Sequence, residues 1–471
     1  MEIPKPEKKN LPRDLAGGVT VAMVSIPEGM AYALIAGVDP IYGLYAGMLT
    51  VIVGSLFAST QLMVVTLTNA VALIVVDNLG LLGEDIAVGI ASLTLMVGLV
   101  QFALGVLKLG RLIRFISHDV MAGFIAAVAA IIIFGHIGEL VGYHEHLEVG
   151  EHISGRVVEG IIIIISPWHW DPATAATGFL TIALLVFLKR TTIKRYADIV
   201  VIGAVTILVA AFGLSSVLIV QDFSEIPANL PGLVTPDPGL MPDLFPAAIA
   251  IAIIALVESA GVRATFKNPD KSKSSQSQDF SAQGLGNIAG CFIAALPGGG
   301  SISLTEVNKD AGSITRFGGV LAGAIVILAV ALFGPVFEFI PMAGLAGLLI
   351  FIGFVILAKE IPRMLEAWET SKAYSISMLA TFVVSIGYSL EVGIVLGIIL
   401  SIALYVYFSA KDAQLIVLEP LEDRQFRVRP VPKELQSDEI TIIQQQGTRY
   451  FAAIHTMEDE LPDWRKTTNA T

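Results

Sequence analysis

Apolar runs of about twenty residues recur along most of the chain, separated by short charged or Pro/Gly-rich breaks. A helix needs about that length to cross a bilayer. The pattern predicts about fourteen spans, with cores near 15–35, 41–58, 62–79, 87–107, 115–140, 173–188, 198–219, 244–262, 281–296, 300–311, 317–338, 341–358, 373–389 and 391–409. The third and tenth are short and interrupted by polar residues or glycine. A membrane-spanning β-strand alternates apolar and polar positions over about ten residues. Runs such as Ala248–Val257 are continuously apolar, which argues against a barrel and for an all-α polytopic fold.

Composition agrees with the pattern. Hydrophobic residues make up 55% of the 471 and charged residues 15%, against about 45–50% and about 25% in soluble domains. A soluble enzyme and a disordered chain are excluded. The net charge of −12 argues against nucleic acid as a partner. The single cysteine, Cys291, permits no internal disulfide. Met1–Arg13 is polar and lacks a signal-peptide pattern, so the first span is expected to stay in the mature protein.

Charge also orients the spans. With fourteen crossings, every one of the 29 Lys and Arg residues except Arg156 falls on one side. The positive-inside rule makes that side the cytoplasm, and it holds both termini. Acids such as Glu84, Asp85, Glu148, Asp222 and Asp243 crowd the other face. Residues 1–14 read as a cytoplasmic tail and 15–410 as the membrane domain. Residues 411–471 read as a soluble appendage, with strand-like stretches at Ile440–Gln444 and around Tyr450–Ile454.

Four stretches are unlike plain membrane filler. Span one carries Glu28 beside Pro27, a residue expected to disturb the helix, and span eight carries Glu258. An ionisable group at membrane depth costs a few kcal/mol at least, so it marks a cavity or a partner unless it snorkels to an interface. Span three opens with Val65-Thr66-Leu67-Thr68-Asn69, and span ten with Pro297-Gly298-Gly299-Gly300-Ser301-Ile302-Ser303. A half-helix beginning in mid-membrane aims free N–H groups and a positive dipole end at the gap before it. That makes an anion site without a cationic side chain; the alternative is a glycine-rich packing motif between helices. Spans one and eight, and spans three and ten, correspond at an offset of seven. An odd offset gives the two halves, about 15–220 and 243–410, opposite topology. Interrupted segments in matching positions of an inverted repeat point to a transporter's mid-membrane site.

These residues resemble the sulfate permease (SulP) family. Ile26-Pro27-Glu28-Gly29-Met30-Ala31-Tyr32-Ala33 with Pro40-Ile41-Tyr42-Gly43-Leu44-Tyr45 is similar to its first signature. Lys108 to His118 with Met121-Ala122-Gly123-Phe124 resembles its cytoplasmic turn. Gln283 to Gly290 and Pro297 to Asn308 resemble the stretch through spans nine and ten, and Leu390-Glu391-Val392-Gly393 opens the last span in the family manner. The resemblance covers about 10–410. It implies a 7+7 inverted repeat with core and gate domains, a homodimer, and transport of a small anion of the sulfate, bicarbonate, chloride or dicarboxylate class. Substrate would lie near Glu28, Tyr32, Thr66, Leu67, Thr68, Asn69, Gly300, Ser301, Ile302 and Ser303. Residues 440–471 resemble the start of the cytoplasmic STAS domain that follows in the family.

The chain departs from the family where many members have Gln at Glu28, Gly-Pro at Val65-Thr66 and Arg at Leu304. Losing that arginine leaves the site short of positive charge. Glu258 and Glu28 beside it suggest coupling to H+ or Na+ rather than simple anion exchange. The expectation is thus a secondary active anion transporter of the inner or plasma membrane, with no enzymatic activity, cofactor or metal site. Two other readings are a nucleobase permease of the same fold and a transport-inactive membrane sensor acting through its tail. His136, His144, His146, His152 and His169 lie between spans five and six. They read as a solvated loop rather than a metal site.

Overall fold

A computed structural model describes residues 9–109, 117–143, 153–223, 226, 230–370, 372–411, 414–421, 425–433, 440–446, 458 and 460–462. The chain is helical and its helices fall into two sets in the same order. The first set is α1 (Leu11–Ile35), the broken pair α2 (Pro40–Ala46) and α3 (Leu49–Phe57), strand β1 (Val64–Thr66) with half-helix α4 (Asn69–Asp77), and α5 (Ile86–Val106). It continues through α6 (His118–Gly135), α7 (Ile137–Val141), α8 (Ile153–Ile165), α9 (Pro172–Leu188) and α10 (Ala197–Phe212). The second set is α11 (Met241–Thr265), α12 (Gln276–Cys291), strand β2 (Gly299–Ser301) with half-helix α13 (Ile302–Asp310), and α14 (Phe317–Phe337). It ends with α15 (Met342–Thr370), α16 (Lys372–Gly387) and α17 (Leu390–Lys411).

Among the described residues, seven helical segments are long and apolar enough to cross a membrane, and four shorter apolar helices accompany them. The half-helices α4 and α13 and the polar helix α12 complete the fourteen predicted crossings. Two bodies emerge from the packing. α5 lies on α12 and α11, α1 on α14, and α3 on both α12 and α14, which makes α1–α5 with α11–α14 the core domain. α6 lies on α15 and α16, α9 on α15 and α10, and α16 on α17, which makes the gate domain. The bodies touch where α1 meets α10 and α15, and where α4 meets α6 and α17.

Several elements differ from the sequence reading. α1 runs through Pro27 without a break. In a packed membrane helix, neighbouring groups can satisfy the carbonyl that proline frees. The hydropathy count misses α8, because its run of five isoleucines is too short to span and is preceded by Arg156 and Glu159. His136 is buried at the α6–α7 break, with Nδ1 3.0 Å from the Ile132 carbonyl, so it does not belong to a solvated loop. His169 sits in a short helical turn against the rings of Tyr143 and Trp168. His144, His146 and His152 lie outside the described residues.

Beyond α17 the described chain forms a three-stranded antiparallel sheet. β3 (Gln414–Pro420) lies between β4 (Phe426–Pro430) and β5 (Ile442–Gln446). The strand expected at Ile440–Gln444 is β5 shifted by two residues, and β3 and β4 were not anticipated. The stretch around Tyr450–Ile454 lies outside the described residues.

Candidate functional site

The two half-helices are joined through their lead-in strands. β1 and β2 pair antiparallel, with Val64 opposite Ser301, Val65 opposite Gly300 and Thr66 opposite Gly299. Antiparallel pairing sends α4 and α13 away in opposite directions and leaves their N-termini at the two ends of one short ribbon. Three extended residues span about 10 Å, so two positive dipole ends converge on a single small volume. Glycine is required where the ribbon is tightest. A Cβ on Gly298 would stand 2.7 Å from the Thr66 carbonyl carbon, and one on Gly299 3.1 Å from Glu258 Oε2.

Each half-helix begins with a hydroxyl N-cap. Thr68 Oγ1 accepts from the Val71 amide at 3.4 Å, and Ser301 Oγ accepts from the Leu304 amide at 3.2 Å. The Ser301 carbonyl accepts from Thr305 Oγ1 at 2.5 Å, which tightens the first turn of α13. Asn69 Oδ1 accepts from the next amide, that of Ala70, at 2.8 Å.

Carboxylates reach these caps across the repeats. Thr68, in the first repeat, donates to Glu258 Oε2 of α11 at 3.0 Å. Ser303, in the second repeat, donates to Glu28 Oε1 of α1 at 3.1 Å. Tyr32, one turn beyond Glu28 on the same helix, donates its hydroxyl to the same oxygen at 2.5 Å. Ser303 and Ser301 are linked through their hydroxyls at 3.1 Å. Glu28 is buried, whereas Glu258 is only partly covered. Among the described residues neither carboxylate pairs with a lysine or arginine.

The ten predicted site residues do not all face the gap. Glu28, Tyr32, Ser301 and Ser303 form one hydrogen-bonded set, and Thr68 with Glu258 a second. Asn69 is partly buried at the start of α4, and Ser303 and Ile302 are exposed at the mouth of α13. Gly300 packs against Ser259 and Met63. Thr66 instead turns its hydroxyl toward the Ala46 carbonyl, 3.4 Å away, and the Leu67 side chain is buried in the main apolar core. Leu304 fills an apolar cluster with Val21, Val24, Val51, Val64 and Ala322.

A support layer escaped the sequence reading. Asn287 of α12 grips the Gly298 peptide from both sides, accepting from its amide at 2.8 Å and donating to its carbonyl at 2.9 Å. Asn287 also donates to Gln101 of α5 at 2.7 Å, and Thr94 donates to the Ala295 carbonyl at 2.7 Å. Buried Asp279 takes the amides and hydroxyls of Ser59 and Thr60 in the turn that leads to β1. Gln101, an amide inside the apolar run of span four, was the available signal. Buried amides need partners, and here the partner is the backbone that feeds β2.

Two interrupted half-helices, facing each other at the centre of an inverted repeat, define the class: a helical membrane transporter with a core and a gate domain. The chain belongs to the sulfate permease family, whose model matches residues 11–381. It is similar to "Sulfate transporter 4.1, chloroplastic" of Arabidopsis thaliana, with 27% identity over 466 residues, 96% of this chain and 66% of that protein. The chain therefore spans about two thirds of that relative's length. Its fold is similar to the murine Solute Carrier 26 family member A9 anion transporter, with a TM-score of 0.78, 18% identity, and coverage of 89% of this chain and 72% of that one. It is also similar to the transmembrane domain of a cyanobacterium bicarbonate transporter, BicA, with a TM-score of 0.69 and 20% identity, covering 84% of this chain and 99% of that one.

Proposed function

We propose that this protein is a cation-coupled secondary active transporter of small anions that works by alternating access. The observation that carries the reading is the cross-repeat arrangement, in which each half-helix N-terminus is bound through a hydroxyl to a carboxylate of the other repeat. A half-helix end supplies roughly half a positive charge. Two such ends offset only part of the large cost of moving an anion out of water. A carboxylate beside them repels the anion unless it is protonated or holds a cation. Either event removes the repulsion, so anion and cation bind with positive cooperativity.

Glu258 is the principal coupling group in this reading and Glu28 the second. Ser301, Thr68 and the first amides of α4 and α13 hold the anion. Asn287, Gln101 and Asp279 position the ribbon rather than touch substrate. The protein functions in an inner or plasma membrane with both termini in the cytoplasm, and it is a homodimer. The anions for which its relatives are named, sulfate and bicarbonate, set the range to test first.

Radiotracer uptake into proteoliposomes tests the reading. Sulfate, bicarbonate, chloride and fumarate are compared under separately imposed H+ and Na+ gradients. One of these anions should be concentrated above equilibrium under one cation gradient and not the other. Uptake that never exceeds equilibrium under either gradient would sink cation coupling. Topology is tested alongside, since Cys291 is buried. Cysteines at Lys194, Lys271 and Lys309 should react with an impermeant reagent only from the cytoplasmic side, and one at Glu148 only from outside. External labelling at Lys271 would break the fourteen-span arrangement.

A further inference from the structure

A cavity of about 660 Å³ lies between the two bodies, and none of the half-helix residues lines it. One wall is the first three turns of α1, through Leu15, Val19 and Met23. The other is the segment entering α10, through Ile193, Tyr196 and Val200. The lining is almost wholly apolar. Leu15, Val19, Ile193 and Val200 are 47%, 39%, 46% and 44% exposed, so much of this apolar surface is left open among the described residues. The walls meet at a polar contact, Thr20 Oγ1 to the Tyr196 hydroxyl at 3.5 Å.

Length and charge indicate what fits. The α1 wall runs from Pro12 to Met23, a rise of about 16 Å at 1.5 Å per residue. The hydrocarbon core is about 30 Å thick, so the groove spans one leaflet, the reach of one acyl chain. The rim at its polar end is basic. Arg13 follows lining residue Pro12, Lys194 follows lining residue Ile193, and Arg190 lies one turn earlier; all three are exposed. Asp14 and Asp198, the nearby acids, are both engaged, by the Ile314–Thr315 turn and by Lys189. Anionic lipids of the cytoplasmic leaflet attract such cations.

We propose that this groove binds an anionic phospholipid, with one acyl chain between α1 and α10 and the phosphate held by Arg13, Arg190 and Lys194. The inference rests on the functional reading only for the side of the membrane, since binding is measured without transport. A lipid seated there lies between core and gate.

The test uses the full-length protein reconstituted in vesicles of phosphatidylcholine with phosphatidylglycerol, followed by mass spectrometry of lipid retained after extraction. Wild type should retain phosphatidylglycerol in preference to phosphatidylcholine. Val19→Trp and Val200→Trp fill the groove from opposite walls at exposed positions, and each should reduce retention at least severalfold. The double variant Arg13→Glu with Lys194→Glu should abolish the headgroup preference. Equal retention of both lipids by wild type would overturn the proposal, as would retention unchanged in both tryptophan variants. A Val19→Cys variant that crosslinks to a second copy would assign the groove to a neighbouring chain and overturn it too.

Discussion

The two halves of the site are related by the repeat but are built differently. On the first-repeat side, the cap residue Thr68 itself bonds the carboxylate, and that carboxylate, Glu258, is only partly covered. On the second-repeat side, the cap Ser301 is one hydroxyl removed from its carboxylate, reached through Ser303. Glu28 is fully packed and also held by Tyr32. A carboxylate that is both reachable and bonded to the cap can report its charge directly to an anion at that cap. One locked between a tyrosine and a second serine is held in place as much as it is poised to exchange a cation. On the proposed reading, this asymmetry makes Glu258 the principal coupling group and Glu28 the second, with the larger part in shaping the pocket.

The largest expected effect strikes the second-repeat arm at its cap. Ser301→Leu removes a cap worth about 1 kcal/mol and adds bulk costing ~1–3 kcal/mol. Apparent affinity in uptake assays should fall on the order of 10²-fold, with normal membrane insertion. Unchanged affinity would move the anion away from α13. A smaller effect sharpens the contrast between the carboxylates. Glu28→Gln keeps a hydrogen-bonding group of the same shape, so uphill accumulation should persist at a rate reduced severalfold. Loss of accumulation with exchange intact would instead make Glu28 the coupling group. Smallest is Tyr32→Phe, which removes one of two hydrogen bonds to Glu28 Oε1 and leaves that from Ser303 in place. Affinity should shift by roughly tenfold or less, with the cation requirement unchanged. A changed coupling ion would show that Tyr32 belongs to the cation site.

Much of this was legible in the sequence because membrane burial leaves a long, simple signal. α1, α5, α11 and α14 are continuous apolar helices where the runs placed them. The second half-helix was legible because Pro297 and three successive glycines disfavour a continuous helix, and the first because alternating hydroxyls interrupt an apolar run. The crossing of the repeats was not. Residues 68 and 258, or 28 and 303, meet only through tertiary packing, and no local spacing encodes which carboxylate serves which cap. Thr66 and Leu67 show a second limit. The ladder of β1 ends at Thr66, so the alternation that groups Thr66 with Thr68 does not carry into the cap, and only Thr68 reaches the carboxylate. The α8 helix and strands β3 and β4 are short, and segments of that length are easily passed over beside runs of about twenty apolar residues.

The central claim is that the charge on Glu258 couples cation to anion. Glu258→Gln mimics the neutral state, and the direct measurement runs the variant and wild type in the same proteoliposomes by two assays. One assay follows exchange of labelled for unlabelled anion with no gradient. The other follows accumulation of labelled anion driven by the coupling-cation gradient. The account predicts that Glu258→Gln exchanges anion at a rate comparable to wild type and never concentrates it above equilibrium. Accumulation by Glu258→Gln at the wild-type rate and level would contradict it.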